Sequence, residues 1–578
     1  MPMVNKNEFS FLYPAPKSIR MQTGMLDIQN LCFPLEISKK YDFLLNYFAV
    51  KNTNRGLEIT CQEKKTLAAE EYGIECEPGR VVVRANSPRG QFYALSTLLQ
   101  ILAYYQPGGR MPGFSITDAP AISFRGFFLD VAHGAFPLPA EMQRLLLRLA
   151  MLKFNSVSLY LGDGSREEKN TRNDLSKGSM TRDEIARVVV LAGRMGMDIF
   201  PAIGVHPVAP GHSELEAGLW SAFDAKLIQI RLGEKTDDES AAAWFERFMD
   251  TYRFFKARGQ RLLVWGNDFL KTPDWIRKIP QDILVLSGDD EIESCDGFRR
   301  KTALFKKHHL PQVLGSSTWS QARFIPAMRK SAGNNAAAFA AVQEEKLAGI
   351  MLGCRTDQGD GSFLEGIILP LFGAGNLFWS GQAPRPEAFS QWALGFQDPD
   401  LFRVYTFLSQ VDAPLQHSHW QYLFEDPLFA EYSRQDDVKE ITARYQKAAL
   451  YLKKRKITGN ELSDFLNIAQ PLYEFVAAKV EFSSRLLSRL NSADGEERIH
   501  QDLARLLPGS EKLKNLYCEL WLKRRQPYGL ARKIREFDFL QERYRHLQQS
   551  MARPAARKKL LAEIETVSLV DVPSASMT

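Results

Sequence analysis

Between residues 122 and 385, short β-rich runs alternate with stretches of helical periodicity, and few architectures accommodate such a chain. The runs fall at 124–130, 156–161, 197–203, 226–232, 261–265, 282–286, 312–315 and 349–353. Helical spacing separates many of them. Met142, Leu145, Leu146, Leu149 and Leu152 lie on one side of a helix over 141–152, and further helices are predicted over 244–255 and 336–346. Thr181 followed by Glu184 forms a capping box that starts another. Strands rich in Val, Leu and Ile that alternate with helices belong to a parallel sheet buried on both faces. Eight such units in about 260 residues fit a closed (β/α)8 TIM barrel. An open doubly wound sheet with additional elements is the alternative.

The flanks differ in pattern. Residues 22–115 mix short strands, among them Val81-Val82-Val83-Arg84-Ala85, with one helix that opens at Pro88 and carries Phe92, Leu95, Leu98, Leu99 and Leu102 at helical spacing. Helices are predicted at 437–453, 462–490, 497–506, 512–524 and 530–547. The expected fold class is therefore α/β: a small α+β domain (1–118), the barrel (119–392), a helical C-terminal domain (393–552) and a flexible tail (553–578).

Composition narrows the function. The 74 Lys+Arg nearly balance 68 Asp+Glu, so the basic footprint of a nucleic-acid binder is missing. No apolar run approaches the ~18 residues of a membrane span, and the start lacks the h-region of a signal peptide, so a cytoplasmic, non-membrane protein is expected. The six cysteines show neither CxxC nor zinc spacing, and no phosphate-binding glycine loop is present, so neither metal nor cofactor is predicted. Homodimerisation is left open.

A barrel places its chemistry just past the C-terminal ends of its strands. Those ends carry Asp130, Asp163, His206 and His212, the run 234–238 with Glu234 and Lys235, Trp265 with Asp268, Trp319, and Asp357 with Asp360. Carboxylates beside tryptophans suit a sugar, whose apolar ring face stacks on indole while its hydroxyls bind carboxylate. Each residue also has a plainer reading. Arg125 can be a structural ion-pair partner, His212 a turn residue, Trp265 and Trp319 core aromatics, 234–238 a solvated loop, and Asp357 and Asp360 a turn.

The segments Arg84–Leu95 (RANSPRGQFYAL), Ile116-Thr117-Asp118-Ala119-Pro120 and Phe124-Arg125-Gly126-Phe127-Phe128-Leu129-Asp130-Val131-Ala132-His133, with Lys153-Phe154-Asn155, Tyr160–Asp163 and 181–185, resemble the family 20 glycoside hydrolases, the β-N-acetylhexosaminidases. Around 356–361 and 520–530 the chain resembles a divergent branch of that family acting on N-acetylgalactosamine-type substrates. The resemblance implies a substrate-assisted retaining mechanism. The substrate's 2-acetamido oxygen attacks the anomeric carbon, an Asp polarises that group, and the adjacent Glu protonates the leaving oxygen. It also implies that Arg125 binds sugar hydroxyls and that Asp163 and His212 line the pocket.

Strand four departs from the family pattern His-x-Gly-Gly-Asp-Glu. It reads Arg231-Leu232-Gly233-Glu234-Lys235-Thr236, which puts Glu234 on the polarising position and Lys235 on the acid. A lysine with a pKa near ~10.4 is a poor proton donor. At about 4 Å and an effective dielectric of about 20, its charge would oppose a forming cation by about 4 kcal/mol, about three orders of magnitude in rate. The expectation is a glycoside hydrolase-like protein for terminal β-linked N-acetylhexosamine (GlcNAc or GalNAc). Glu234 and Lys235 stand at its reaction centre, and Arg125, Asp163, His212, Trp265, Asp268, Trp319, Asp357 and Asp360 contact the sugar. The alternative is a catalytically impaired relative that binds carbohydrate or a protein partner. A third reading, an interaction protein, would need an exposed apolar stripe over 520–547.

Overall fold

The computed structural model describes residues 9–131, 135–160, 181–205, 219–233, 240–270, 272–321, 323–354, 362–394, 400–411, 419–430, 438–455, 462–527 and 529–569. The first domain is a mixed sheet of β1 (Ser18–Asp27), β2 (Leu31–Cys32), β3 (Leu57–Glu63), β4 (Tyr72–Glu77), β5 (Arg80–Ala85) and β6 (Arg110–Asp118) in the order β1-β6-β4-β5-β3-β2. Helix α1 (Pro88–Tyr105) packs on it and buries Phe92, Leu95, Leu98, Leu99 and Leu102, as their spacing predicts. The Ser87 side chain accepts the Gly90 amide, and Pro88 occupies the first turn, where no amide hydrogen is needed.

The next eight strands close into a barrel. They are β7 (Phe124–Asp130), β8 (Ser156–Tyr160), β9 (Asp198–Val205), β10 (Leu227–Leu232), β11 (Arg261–Trp265), β12 (Leu284–Gly288), β13 (Gln312–Ser317) and β14 (Gly349–Cys354). Each pairs in parallel with the next, and β14 pairs with β7, so the open-sheet alternative falls. Gly349 makes that seam: a Cβ there would collide with the Phe124 carbonyl. Helices α2 (Pro139–Met151), α3 (Arg182–Arg194), α4 (Ala241–Lys256), α5 (Cys295–Lys307), α6 (Met328–Glu345) and α7 (Ile368–Ser380) fall between or after the strands. The Thr181–Glu184 capping box is present at the start of α3. Phe128, Tyr160, Phe200, Ala202, Leu263, Leu284, Leu286, Val313 and Met351 fill the barrel interior.

The first domain is welded to the barrel by buried ions. Lys153, fully buried after α2, gives its ammonium to Asp118 at 2.9 Å and to the Tyr72 hydroxyl at 2.7 Å. The same Asp118 carboxylate accepts the Tyr72 hydroxyl at 2.6 Å and the Trp379 indole N–H at 2.9 Å. Lys153 takes a left-handed backbone conformation, φ 62°, at a cost of about 1 kcal/mol or more that these bonds offset. Burial holds its pKa below the ordinary lysine value.

The C-terminal region is helical. Its long members are α8 (Val438–Lys454), α9 (Ser463–Leu490), α10 (Gly495–Arg524), α11 (Leu530–Met551) and α12 (Pro554–Leu569). Two expectations are corrected here. The helices predicted at 497–506 and 512–524 are one, because α10 runs through Pro508 and packs Gly509 so closely on Phe475 of α9 that a Cβ would lie 3.1 Å from the ring. The predicted flexible tail is helical to Leu569, because Leu560 and Ile564 are buried and Arg557 donates to the Leu490 carbonyl. Leu520, Phe537, Leu540, Tyr544 and Leu547 are buried, with Leu522 and Phe539 exposed singly, so the described residues of 520–547 present no apolar stripe.

Lys479 of α9 is buried and donates to the carbonyls of Tyr422, at 2.7 Å, and Glu425, at 2.5 Å. Burial pushes its pKa down from 10.5 to about 7. The unfolded chain therefore binds this proton more tightly than the folded one. Stability rises with pH between about 7 and 10.5 and is flat below that window, by up to about 1.4 kcal/mol per pH unit. Urea unfolding at pH 7 to 10 should show this gain in the wild type. The gain should be absent in Lys479→Met.

Candidate active site at the barrel mouth

Side chains alternate along a strand, so the residues that fill the barrel identify those above them at its C-terminal mouth. Phe128 and Met351 are interior on β7 and β14, Leu263 on β11, and Leu286 and Val313 on β12 and β13. Continuing the alternation, the top interior layer consists of Asp130, Tyr160, Gly204, Arg231, Trp265, Gly288, Ser317 and Gly353. Three of its members are glycines, on β9, β12 and β14. Tyr160 and Trp265 flank Phe128, with ring centroids at 6.1 and 5.6 Å. Asp130 is buried at the wall, while Arg231 is exposed on β10. Aromatic rings in one layer with a carboxylate and a guanidinium can seat a polyhydroxylated ring, stacking one face and binding hydroxyls at the edge.

The exit of β10 is braced on both sides. The Leu232 amide donates to the Asp268 carboxylate at 2.9 Å, and the Gly233 carbonyl accepts the Trp244 indole N–H at 3.1 Å. These bonds set the direction in which the chain leaves towards residue 234. Trp319, after β13, has φ 53° and donates its indole N–H to the Asp290 carbonyl at 2.8 Å, with the Lys330 ammonium 4.1 Å from its ring. Cys354 closes β14; burial pushes its thiol up to about 11, so it stays protonated near neutral pH and is no nucleophile.

Comparison with known proteins bears on this arrangement. The profile "Glycosyl hydrolase family 20, domain 2" matches residues 10–119, the sheet domain. A β-hexosaminidase of Vibrio furnissii is 28% identical over 181 residues, 27% of this chain and 29% of that protein. β-Hexosaminidase subunit A1 of Dictyostelium discoideum is 27% identical over 226 residues, 37% of this chain and 39% of that protein. The family 20 match is thus to the sheet domain, and the relatives it resembles are β-hexosaminidases. The chain aligns with well under half the length of either relative. The fold agrees with the solved family 20 β-N-acetylhexosaminidase of Streptomyces coelicolor A3(2), with a TM-score of 0.51 at 16% identity over 71% of this chain and 97% of the other.

The sequence candidates divide. Trp265, Asp268 and Trp319 all sit at C-terminal strand ends of the barrel. Asp163, His212, Glu234, Lys235, Asp357 and Asp360 lie outside the described residues. Arg125 is corrected. It is the second residue of β7, at the far end of the barrel, and alternates out of phase with interior Phe124 and Phe128. Its side chain, 1% exposed, pairs with Glu70 of the first domain at 2.8 Å and donates to the carbonyls of Lys153, Ile122 and Ser123. The Trp379 ring lies 5.0 Å from its guanidinium. Arg125 therefore joins domains: it is a structural ion-pair partner, but of Glu70 in the first domain and not of Asp130 or a carboxylate across the barrel, as the sequence suggested. Asp130 was a strand-end candidate in the sequence but was not carried into the expected site, and Arg231 was passed over, although a period of two through Phe128-Asp130 and Gln229-Arg231 marks both.

Breaking a buried pair from one side strands the other charge and typically costs about 3–5 kcal/mol. Arg125→Met and Glu70→Gln should each destabilise the chain on that order, and the double variant should lose much less than their sum. A double-mutant cycle by urea unfolding measures the coupling. Additive losses would show that the two side chains act independently.

Proposed function

We propose that the chain is a glycosidase for terminal β-linked N-acetylhexosamine, acting by a substrate-assisted retaining route. The observation that carries this reading is the top layer of the barrel, where Tyr160 and Trp265 share one level with Asp130 and Arg231, so that stacking faces and hydroxyl-binding groups meet at one mouth. The family 20 type of the first domain supports it.

In the proposed reaction the 2-acetamido oxygen forms a bond to C1 as the bond from C1 to the leaving oxygen breaks. The leaving oxygen takes its proton from the Glu234 carboxyl, and water, giving a proton back to that carboxylate, then adds to C1 and breaks its bond to the acetamido oxygen, with net retention. Glu234 follows the braced exit of β10 by two residues and is the carboxylate assigned to the reaction centre. Lys235 stands where the family carries its acid. Its positive charge opposes the cationic transition state, and turnover is accordingly slow. Trp265 and Trp319 supply stacking surfaces, Asp268 orients strand four, and Asp163, His212, Asp357 and Asp360 contact sugar hydroxyls.

A second reading, a sugar-binding relative without catalysis, is favoured by the same lysine. Release of chromophore from aryl β-N-acetylglucosaminide and β-N-acetylgalactosaminide decides between them. The wild type should turn over at least one of the two slowly, Glu234→Gln should lose about 10²-fold or more, and Lys235→Glu should gain. Binding of a hexosamine with no turnover by any of the three proteins would leave only the binding role.

A further inference from the structure

The helical C-terminal region meets the barrel at several places, Phe465 stacking on Phe324 among them, and one of them lies at the mouth. The turn after α10 forms an antiparallel bridge between Arg525 and Pro137, in the connection that follows β7. The Leu138 amide donates to the Arg524 carbonyl at 2.9 Å, and the Gln526 amide donates to the Phe136 carbonyl at 2.8 Å. The two arginine side chains extend the clasp across the seam where β14 meets β7. Arg524 pairs with Glu141, in the first turn of α2, at 3.2 Å and with Glu365, in the connection that follows β14, at 2.5 Å. Arg525 is buried and donates to the Ser362 carbonyl. Its guanidinium lies 4.4 Å from the Phe363 ring and 4.6 Å from the Trp521 ring, and the Trp521 indole is tied to the Gln526 carbonyl at 2.8 Å. Arg524 and Arg525 line a small enclosed space with Asp130 and Cys354, the last residues of the first and last barrel strands.

We propose that Arg525 is a positioning residue of the barrel mouth and that the helical region is a working part of the site. The guanidinium and the backbone bridge hold the two connections that leave β7 and β14 against each other. A barrel strand ends where its hydrogen bonds end, so the connection beyond it needs an external fixture to keep a defined path. Planarity matters here: arginine stacks on Phe363 and Trp521 while still donating in its plane to Ser362, and the compact ammonium of lysine does not do both. Burial and the neighbouring Glu365 raise the pKa of Glu141, and Arg524 between the two carboxyls relieves their repulsion. That contact draws the two connections together from the outer side of the seam. The effect on ligand binding rests on the function proposed above; the positioning itself does not.

Hydrogen exchange on the full chain tests the positioning first. Arg525→Ala should speed exchange at least tenfold in peptides covering 135–142 and 362–368 and leave β10 to β12 unchanged. Arg525→Lys should restore only part of the protection. Lys514→Ala, which breaks the Lys514–Asp538 pair between α10 and α11 away from the barrel, should leave both peptides protected. Titration with N-acetylglucosamine, read by calorimetry, is the second arm: Arg525→Ala should weaken binding at least tenfold and Lys514→Ala should not. Unchanged exchange in both peptides, or an equal rise throughout the barrel, would overturn the positioning role. A local rise with wild-type affinity would overturn its link to the site. Failure of the wild type to bind the sugar counts against the proposed function, and the exchange result then decides the positioning alone.

Discussion

The structure depends on two charges buried where the first domain meets the base of the barrel. Lys153 and Arg125 stand side by side there, the first on Asp118 and the second on Glu70. Isolated ions in such a place would cost several kcal/mol each, and they are held because every partner is in place. Asp118 accepts Lys153, Tyr72 and Trp379 through one oxygen and the Lys17 amide through the other. Glu70 also receives Asn155, at 2.9 Å, and Arg89, at 3.2 Å. Arg89 in turn reaches Asp198 at the start of β9 at 2.9 Å. Three barrel strands are thereby registered against the sheet domain from below.

The mouth at the opposite end is built on different terms. Its interior layer is sparse, with glycine on β9, β12 and β14, and its rim is fixed from outside. Asp268 and Trp244 hold the exit of β10, and the arginine clasp of the helical region holds the β14–β7 seam. A rigid base under an open, externally braced rim is the usual division between stability and function in a barrel. Strand four is where that division bears on chemistry. Its backbone is braced just before Glu234 and Lys235, the two residues the proposed function puts at the reaction centre.

Much of this was legible in the residues. Strands rich in Val, Leu and Ile at regular intervals fixed the parallel sheet, because both faces of such a strand need apolar partners. All eight runs recur in the barrel with ends displaced by no more than two residues. The Thr181 capping box and the Ser87-Pro88 start of α1 were legible because capping is local chemistry. Pro508 misled because its effect on α10 is settled by contact with α9, and the tail from Arg553 misled because the partners of Leu560 and Ile564 are far along the chain. Arg125 illustrates the harder failure. A resemblance placed it at a sugar, whereas strand phase and Glu70, 55 positions earlier in the chain, place it between domains.

The sequence by itself determined the number and kind of the elements, the alternation that forces a parallel sheet, and the Glu234-Lys235 pair that follows strand four. Those are matters of period, propensity and residue chemistry, which act within a few positions. Tertiary structure alone decided that the sheet closes, that Arg125 faces the first domain, that Asp130 and Arg231 share a layer with Trp265, and that Arg525 arrives at the seam from the far end of the chain. Each of these depends on which residues meet after folding. Closure and long-range burial carry no local mark, because their free energy comes from partners that are distant in the chain.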